Sequence, residues 1–340
     1  MSRMNTVHRT KDEKGSLMAN LPPVTGIPMI GLGTFPFSGV FSQVDESSAA
    51  DVLSAYFDGG GSYVETAPVY APNDVDLGRL LSAYDRETFF LATKCVTSRG
   101  AGGATVRSGK SDHLRNQCHE ELRRLRVDHL DLLQLHTVPE DASPEESFGT
   151  LHQLKTDGLT RNIGVSNVSL GQLRAFAAIA PVDYVQNRFS FIHRTHHREI
   201  ETYCTENGIL LNPYQVIERG LLTSTPPPAF REGDLRNRKF EYSGDVYHFI
   251  RSWVLNELQP IAEAARLSLT QLAIRWALAQ PAIGVISVGA TKKEQVTENL
   301  TAATDPLPPR AASDMEAAFV KLEKAVRDRV GLSVDEYRGL

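Results

Sequence analysis

The sequence predicts an α/β fold of the (β/α)8 TIM-barrel type, and three observations carry that prediction. From about residue 27 onward, short apolar runs alternate with longer amphipathic ones, the pattern of repeated βα units around a parallel sheet. Eight of the apolar runs read as strands, at 29–34, 62–66, 89–94, 130–136, 161–165, 183–187, 209–213 and 283–288, the number a closed barrel needs. Tyr70, Lys94 and His136 stand at the ends of successive strands, the rim where such barrels gather their chemistry.

At 340 residues and 41% hydrophobic, the chain is large enough to bury one sizeable core. Residues 23–340 read as a single barrel. Residues 1–22 read as a flexible solvated tail, because Arg3, Arg9, Lys11, Asp12, Glu13 and Lys14 leave no apolar segment for a secretory signal. The run after Ser111 places Leu114, Cys118, Leu122 and Leu125 on one helical face and leads into the strand ending at His136. Ser268 with Gln271, and Ser313 with Glu316, have the spacing of capping boxes that start helices near 269 and 314. Met315, Phe319, Leu322 and Val326 give the last helix an apolar stripe for the barrel exterior. Residues 218–244, which include Thr225-Pro-Pro-Pro228, show no regular element and read as a long loop after the seventh strand, at the active-site face. Arg219, Arg231, Arg236, Arg238 and Lys239 make that loop locally basic.

Composition excludes several partner classes. A formal net charge of -5 offers no basic field for nucleic acid or an anionic membrane, so a small molecule is the expected partner. The three cysteines, Cys95, Cys118 and Cys204, are odd in number and lack CxxC spacing, which argues against a disulfide framework or a zinc cluster and fits a reducing cytoplasm. No run is long and apolar enough to span a bilayer. The sequence carries no signal of an oligomeric state.

The residues at the strand ends suggest acid–base chemistry. A tyrosine is a poor acid near neutral pH, with an ordinary pKa of about 10. A neighbouring ammonium from Lys94 would lower it, and Glu65 on the preceding strand would keep Lys94 charged and oriented. His136 would hydrogen-bond the substrate oxygen. Taken singly, each residue has an ordinary structural reading: packing for the tyrosine, solvation for the lysine, a backbone partner for the histidine. Their order on successive strands is what favours chemistry.

That order, with its surroundings, resembles the aldo-keto reductase superfamily. Gly31-Leu-Gly-Thr34 is similar to the family's first barrel strand, and Asp58-Gly-Gly-Gly-Ser-Tyr-Val-Glu-Thr-Ala-Pro-Val-Tyr70 to the segment bearing the tetrad carboxylate and tyrosine. Ile163-Gly-Val-Ser-Asn167 resembles the strand end whose Ser166 and Asn167 hold a nicotinamide carboxamide, and Gln186 in Tyr184-Val-Gln-Asn187 matches a third ligand of that amide. Gly289-Ala-Thr-Lys-Lys-Glu-Gln-Val-Thr-Glu-Asn299 resembles the segment that grips the adenosine half. The resemblance covers about residues 24–305 and explains how a dinucleotide is held without a GxGxxG turn. It implies reduction of an aldehyde or ketone with NADPH, or alternatively NADH, and no metal. It implies Tyr70, Lys94, His136 and Glu65 as catalytic residues. The cofactor residues it implies are Gly33, Thr34, Ser166, Asn167, Gln186, Leu211, Asn212, Gly289, Thr291, Lys292, Gln295, Glu298 and Asn299.

Four features depart from the family pattern. Glu65 replaces the usual aspartate and is about 1.5 Å longer, enough to tilt Lys94 relative to Tyr70. Leu211, in Leu211-Asn-Pro-Tyr214, stands where an aromatic residue stacks on the nicotinamide, with Tyr214 filling a different space. Gln295 replaces an arginine, and Lys292 and Lys293 are the cations left for a ribose phosphate. Two other functions remain compatible with the residues: a nicotinamide-binding regulatory or redox-sensing barrel, and a non-redox isomerase or lyase using Tyr70 and His136. Phe35, Phe37, Phe41, Tyr63, Phe189 and Phe191 divide between an apolar mouth and the core, at least half of them core.

Overall fold

The computed structural model describes residues 30–70, 75–194, 197–224, 230–239, 242, 244–334 and 336. The tail expected over 1–22, residue 29 of the first expected strand, and the Thr225-Pro-Pro-Pro228 stretch of the long loop lie outside the described residues.

Among the described residues ten strands appear in chain order. They are β1 (Ile30–Gly33), β2 (Tyr63–Glu65), β3 (Phe90–Cys95), β4 (Thr97–Arg99), β5 (Thr105–Arg107), β6 (Leu130–Leu135), β7 (Thr160–Ser166), β8 (Tyr184–Gln186), β9 (Leu210–Leu211) and β10 (Ile286–Gly289). Eight of them form one parallel sheet in the order β10-β1-β2-β3-β6-β7-β8-β9, and each matches an expected strand. Parallel bridges from Leu211 to Ile283 and from Tyr214 to Ser287 join the two outer strands, so the sheet closes into a barrel. The remaining two, β4 and β5, pair antiparallel as a hairpin directly after β3.

Alternate residues of each strand separate into two populations. Tyr63, Phe90, Ala92, Leu132, Tyr184 and Val285 meet inside the barrel, with Leu210 against them. Val64, Leu91, Leu133, Ile163, Val165, Val185 and Leu211 join instead the layer packed under the helices. The strand period of two makes both faces buried, which is why these strands read as near-continuous apolar runs.

The helices are α1 (Glu46–Asp58), α2 (Leu77–Leu81), α3 (Ser111–Leu125), α4 (Pro144–Thr156), α5 (Leu170–Ala177), α6 (His197–Asn207), α7 (Gly244–Trp253), α8 (Gln259–Ala264), α9 (Leu269–Leu278), α10 (Lys293–Ala302) and α11 (Pro309–Val330). The expected face of α3 is buried, and Ser268 and Gln271 form the expected capping box of α9. An identical device, Ser169 with Gln172, starts α5. The second expected box is a correction: α11 begins at Pro309, so Ser313 is inside the helix. Proline costs nothing at a helix start, where its missing N–H has no partner to lose, and Glu316 pairs with Arg194. Between α7 and α8 the helix widens to a π turn over Val254–Leu258, with Gln259 N–H bonding the Val254 carbonyl. The turn immediately precedes Pro260, which cannot donate to a regular ladder.

The expectation of an irregular 218–244 is corrected in part, since Glu218–Gly220 and Leu235–Arg238 form 3-10 turns. Two of its arginines fasten it to the loop after β1: Arg231 donates to the Phe41 carbonyl at 3.1 Å, and Arg236 lies over the Phe41 ring at 5.2 Å. All three cysteines are buried and free. Among the described residues no helix is long and apolar enough to cross a membrane.

Candidate active site

Inward-facing positions change character along the barrel. Tyr63 gives way to Glu65, Ala92 to Lys94, and Tyr184 to Gln186, while Leu132 is followed by Gln134 and His136. Apolar filling at the amino ends is thus replaced by polar groups at the carboxyl ends, as the chemistry of such barrels requires.

Lys94 is the centre of this layer. The residue is 1% exposed, and its ammonium donates to the Glu65 carboxylate, to the Thr66 carbonyl at 3.2 Å and to the Tyr70 hydroxyl at 3.2 Å. Tyr70 also donates to Glu65 Oε1 at 3.5 Å. The longer carboxylate therefore does not pull Lys94 off Tyr70. Space for it is left by Gly33, where a Cβ would come within 3.3 Å of Glu65 Oε2. Burial pushes the Lys94 ammonium down, to about 7, with the Glu121 carboxylate acting the other way.

The expected lowering of the Tyr70 phenol is reversed in this structure. Burial, with a smaller contribution from Tyr214, pushes the phenol up from its ordinary value, so the hydroxyl carries its proton at neutral pH. His136 stands edge-on to Tyr70, ring centroids 6.0 Å apart. Burial, then Lys94 and Arg107, pushes the imidazole down to about 3, so it is neutral, and its Nδ1 has no hydrogen-bond partner among the described residues. The ring of Phe35 packs 5.0 Å from Tyr70 and 5.5 Å from Phe41, giving the apolar wall beside the hydroxyl. Phe37, Tyr63, Phe189 and Phe191 are core.

Across the barrel mouth, Ser166 donates to the Gln186 carbonyl at 2.6 Å, and Asn167 Nδ2 donates to the His136 carbonyl at 2.9 Å. Asn167 has a φ of 59°, a left-handed conformation that asparagine tolerates better than most residues. Gln186 Nε2 is buried and unpartnered among the described residues. Such an amide donor is costly to leave unmet and fits a ligand carbonyl.

Leu211 requires a correction. It is 1% exposed and faces the helix layer, so it cannot lie on a ligand ring. The aromatic residue in the mouth is Tyr214, whose hydroxyl donates to Asn167 Oδ1 at 2.6 Å. Strand alternation carried the signal, since Leu210 faces inward and Leu211 therefore outward. Asn212 does face inward, with its amide bonded to the Tyr63 hydroxyl at 2.6 Å and to Ser287 at 3.0 Å.

A family model described as the aldo/keto reductase family matches residues 29–319. The chain belongs to the aldo/keto reductase family. It is 28% identical over 294 residues to an NADH-specific methylglyoxal reductase of Escherichia coli, covering 80% of this chain and 89% of that protein. It is 30% identical over 274 residues to an aldo-keto reductase of Bacillus subtilis, covering 78% and 82% respectively. The glycerol dehydrogenase of Gluconobacter oxydans superposes with a TM-score of 0.77 at 25% identity, covering 86% of this chain and 91% of that one. Membership makes this chain a nicotinamide-dependent oxidoreductase.

In this aldo/keto reductase, the remaining residues expected at the cofactor lie at the ends of β1 and β10, in the turn that follows β10 and on α10. Thr34 is buried behind Gly33, and a Cβ at Gly289 would come within 2.5 Å of Pro36 Cγ, so two chain segments approach closely there. Thr291 donates its N–H to Gln295 Oε1 at 2.8 Å, and Glu298 Oε1 accepts from Ser268 at 2.5 Å. Asn299 is 5% exposed, while Lys292 and Lys293 are exposed and meet no carboxylate among the described residues.

Proposed function

We propose that this chain reduces an aldehyde or ketone to an alcohol with Tyr70 as proton donor, and the observation that carries the reading is the Lys94 ammonium held 3.2 Å from the Tyr70 hydroxyl by Glu65 and Thr66. A nicotinamide fits the opposite wall, because the unpartnered Gln186 Nε2 meets an amide carbonyl and Ser166 adds an adaptable hydroxyl. When bound in its reduced form, the nicotinamide supplies the hydride that the carbonyl carbon receives.

The chain's own residues supply the rest. Tyr70, kept protonated by burial, gives its proton to the substrate oxygen as charge builds there. Lys94 in its charged form stabilises the phenolate left behind, and Glu65 aims the ammonium at it. Neutral His136 orients the substrate oxygen through a ring N–H without competing for the proton. Tyr214 and Asn167 brace each other beside the amide-binding wall. Phe35 and Phe41 keep water from the reacting oxygen.

NADPH is the cofactor proposed, because Lys292 and Lys293 offer exposed cations to a ribose phosphate; NADH is the alternative. A cytoplasmic location is proposed with this reading, and the three free, buried cysteines are compatible with it. The reading is tested by titrating the protein with NADPH and then assaying a panel of aldehydes. Stoichiometric binding with turnover supports it; stoichiometric binding with no turnover of any aldehyde contradicts it.

A further inference from the structure

The hairpin of β4 and β5 rises from the end of β3, its first residue three positions beyond Lys94. At the joint Val96 has a φ of 80°, an unusual conformation for a β-branched residue, and it turns the chain out of the barrel wall. The hairpin register sets Arg107 opposite Thr97, and Arg99 reaches back to donate to the carbonyl of Val69, the neighbour of Tyr70, at 3.2 Å. The loop after β6 lies alongside: His136 N–H donates to the Cys95 carbonyl at 3.1 Å, and Asp141 accepts from Ser108 at 2.6 Å. Thr97, Arg107, His136 and Thr137 are thereby gathered on one side of the catalytic mouth.

Two features of this cluster are not explained by structure alone. Thr97 Oγ1, His136 Nδ1 and Thr137 Oγ1 are buried without a hydrogen-bond partner among the described residues. Arg107 meets no carboxylate among the described residues, and both hydrogen bonds of Arg99 go to carbonyls. Nearby, Arg86, Arg124 and Arg126 each pair with a carboxylate. Arg107 is also close enough to His136 for its charge to act on the imidazole.

We propose that Arg107, with Arg99 beside it, binds an anionic group, carboxylate or phosphate, carried by the carbonyl substrate away from its reacting carbon. The inference rests on the reductase reading above and names the substrate class for it. A guanidinium presents a planar fork that matches either oxyanion, and the Thr97 and Thr137 hydroxyls are donors of the kind such a group accepts from. In a chain of net charge -5, two uncompensated arginines at the mouth also draw an anionic substrate toward Tyr70.

The test uses the full-length protein with NADPH and NADH and two matched substrate pairs: 4-oxobutanoate against butanal, and glyceraldehyde 3-phosphate against glyceraldehyde. The anionic member of at least one pair is expected to have a kcat/KM about tenfold higher, and Arg107→Ala to lower that ratio by about tenfold through KM, with Arg107→Lys retaining part of it. Added salt should shrink the preference, because Arg107 is exposed. A response in the first pair alone identifies a carboxylate, and in the second alone a phosphate. Equal rates within both pairs, or a preference that survives Arg107→Ala, would overturn the anion subsite while leaving the reductase reading intact. Failure to turn over any of the four compounds would overturn both.

Discussion

Lys94 and Tyr70 are joined by a 3.2 Å hydrogen bond from ammonium to phenol oxygen, and the other contacts of that ammonium, to Glu65 and the Thr66 carbonyl, fix its direction. The hydroxyl that burial keeps protonated therefore faces a cation already in place to receive the charge of its conjugate base. Preorganisation of this kind makes the arrangement more than a buried ion pair, because the pair ends on a titratable group at the barrel mouth.

The state of Lys94 sets the pH dependence. Its folded pKa is pushed below the ordinary lysine value, to about 7, so the ammonium is fully present in acid and is lost as pH rises through that value. In the proposed reaction, the phenolate left by proton donation would lose its stabilising charge over the same range. Carbonyl reduction should fall as pH rises through about 7. His136, pushed down to about 3, should add no break at the usual histidine pKa of about 6.5. A pH profile of kcat/KM checks this, and a profile flat through neutral pH would contradict it.

Glu65 and Gly33 should behave as a coupled pair. Glu65→Gln leaves the buried ammonium unpaired, which should cost about 3–5 kcal/mol of stability and lower kcat by more than about tenfold. Glu65→Asp should be milder. Gly33→Ala brings a Cβ within 3.3 Å of Glu65 Oε2 and should lower kcat, and the loss should shrink when Glu65→Asp is added, because the shorter side chain leaves room. Steady-state kinetics on the four proteins of that cycle measures the coupling, and strictly additive effects would remove it.

The proposed cofactor choice rests on Lys292 and Lys293. Replacing Lys292 and Lys293 with alanine should weaken NADPH by about tenfold more than NADH, an effect that added salt reduces because both side chains are exposed. Fluorescence titration with each dinucleotide decides the matter. Equal weakening of both would show that these lysines do not read the phosphate.

The barrel was legible because its strands are buried on both faces and its helices are amphipathic, so all eight strands could be placed from apolar runs. Glu65, Lys94, Tyr70 and His136 could be brought together because strand ends converge in such a fold, whatever their separation in sequence. The start of α11 was not legible at Ser313, since the spacing of a capping box also occurs inside helices, and Pro308-Pro309 was the stronger signal. Leu211 was assigned to the mouth by analogy of position, although the period of its strand turns it outward and leaves Tyr214 there. Burial of the Tyr70 phenol is a tertiary property, which is why the direction of its shift could not be read from the neighbouring lysine alone.

Tyr70→Phe tests the central claim most directly, because it removes one hydroxyl and leaves the ring packed on Phe35. Carbonyl reduction should fall by at least about a hundredfold, the scale of a lost general acid. NADPH affinity, measured by fluorescence titration of the same preparation, should stay within about twofold of the parent, since the proposed amide-binding wall of Ser166, Asn167 and Gln186 is untouched. Retention of turnover in Tyr70→Phe, with NADPH binding intact, would contradict the assignment of Tyr70 as proton donor.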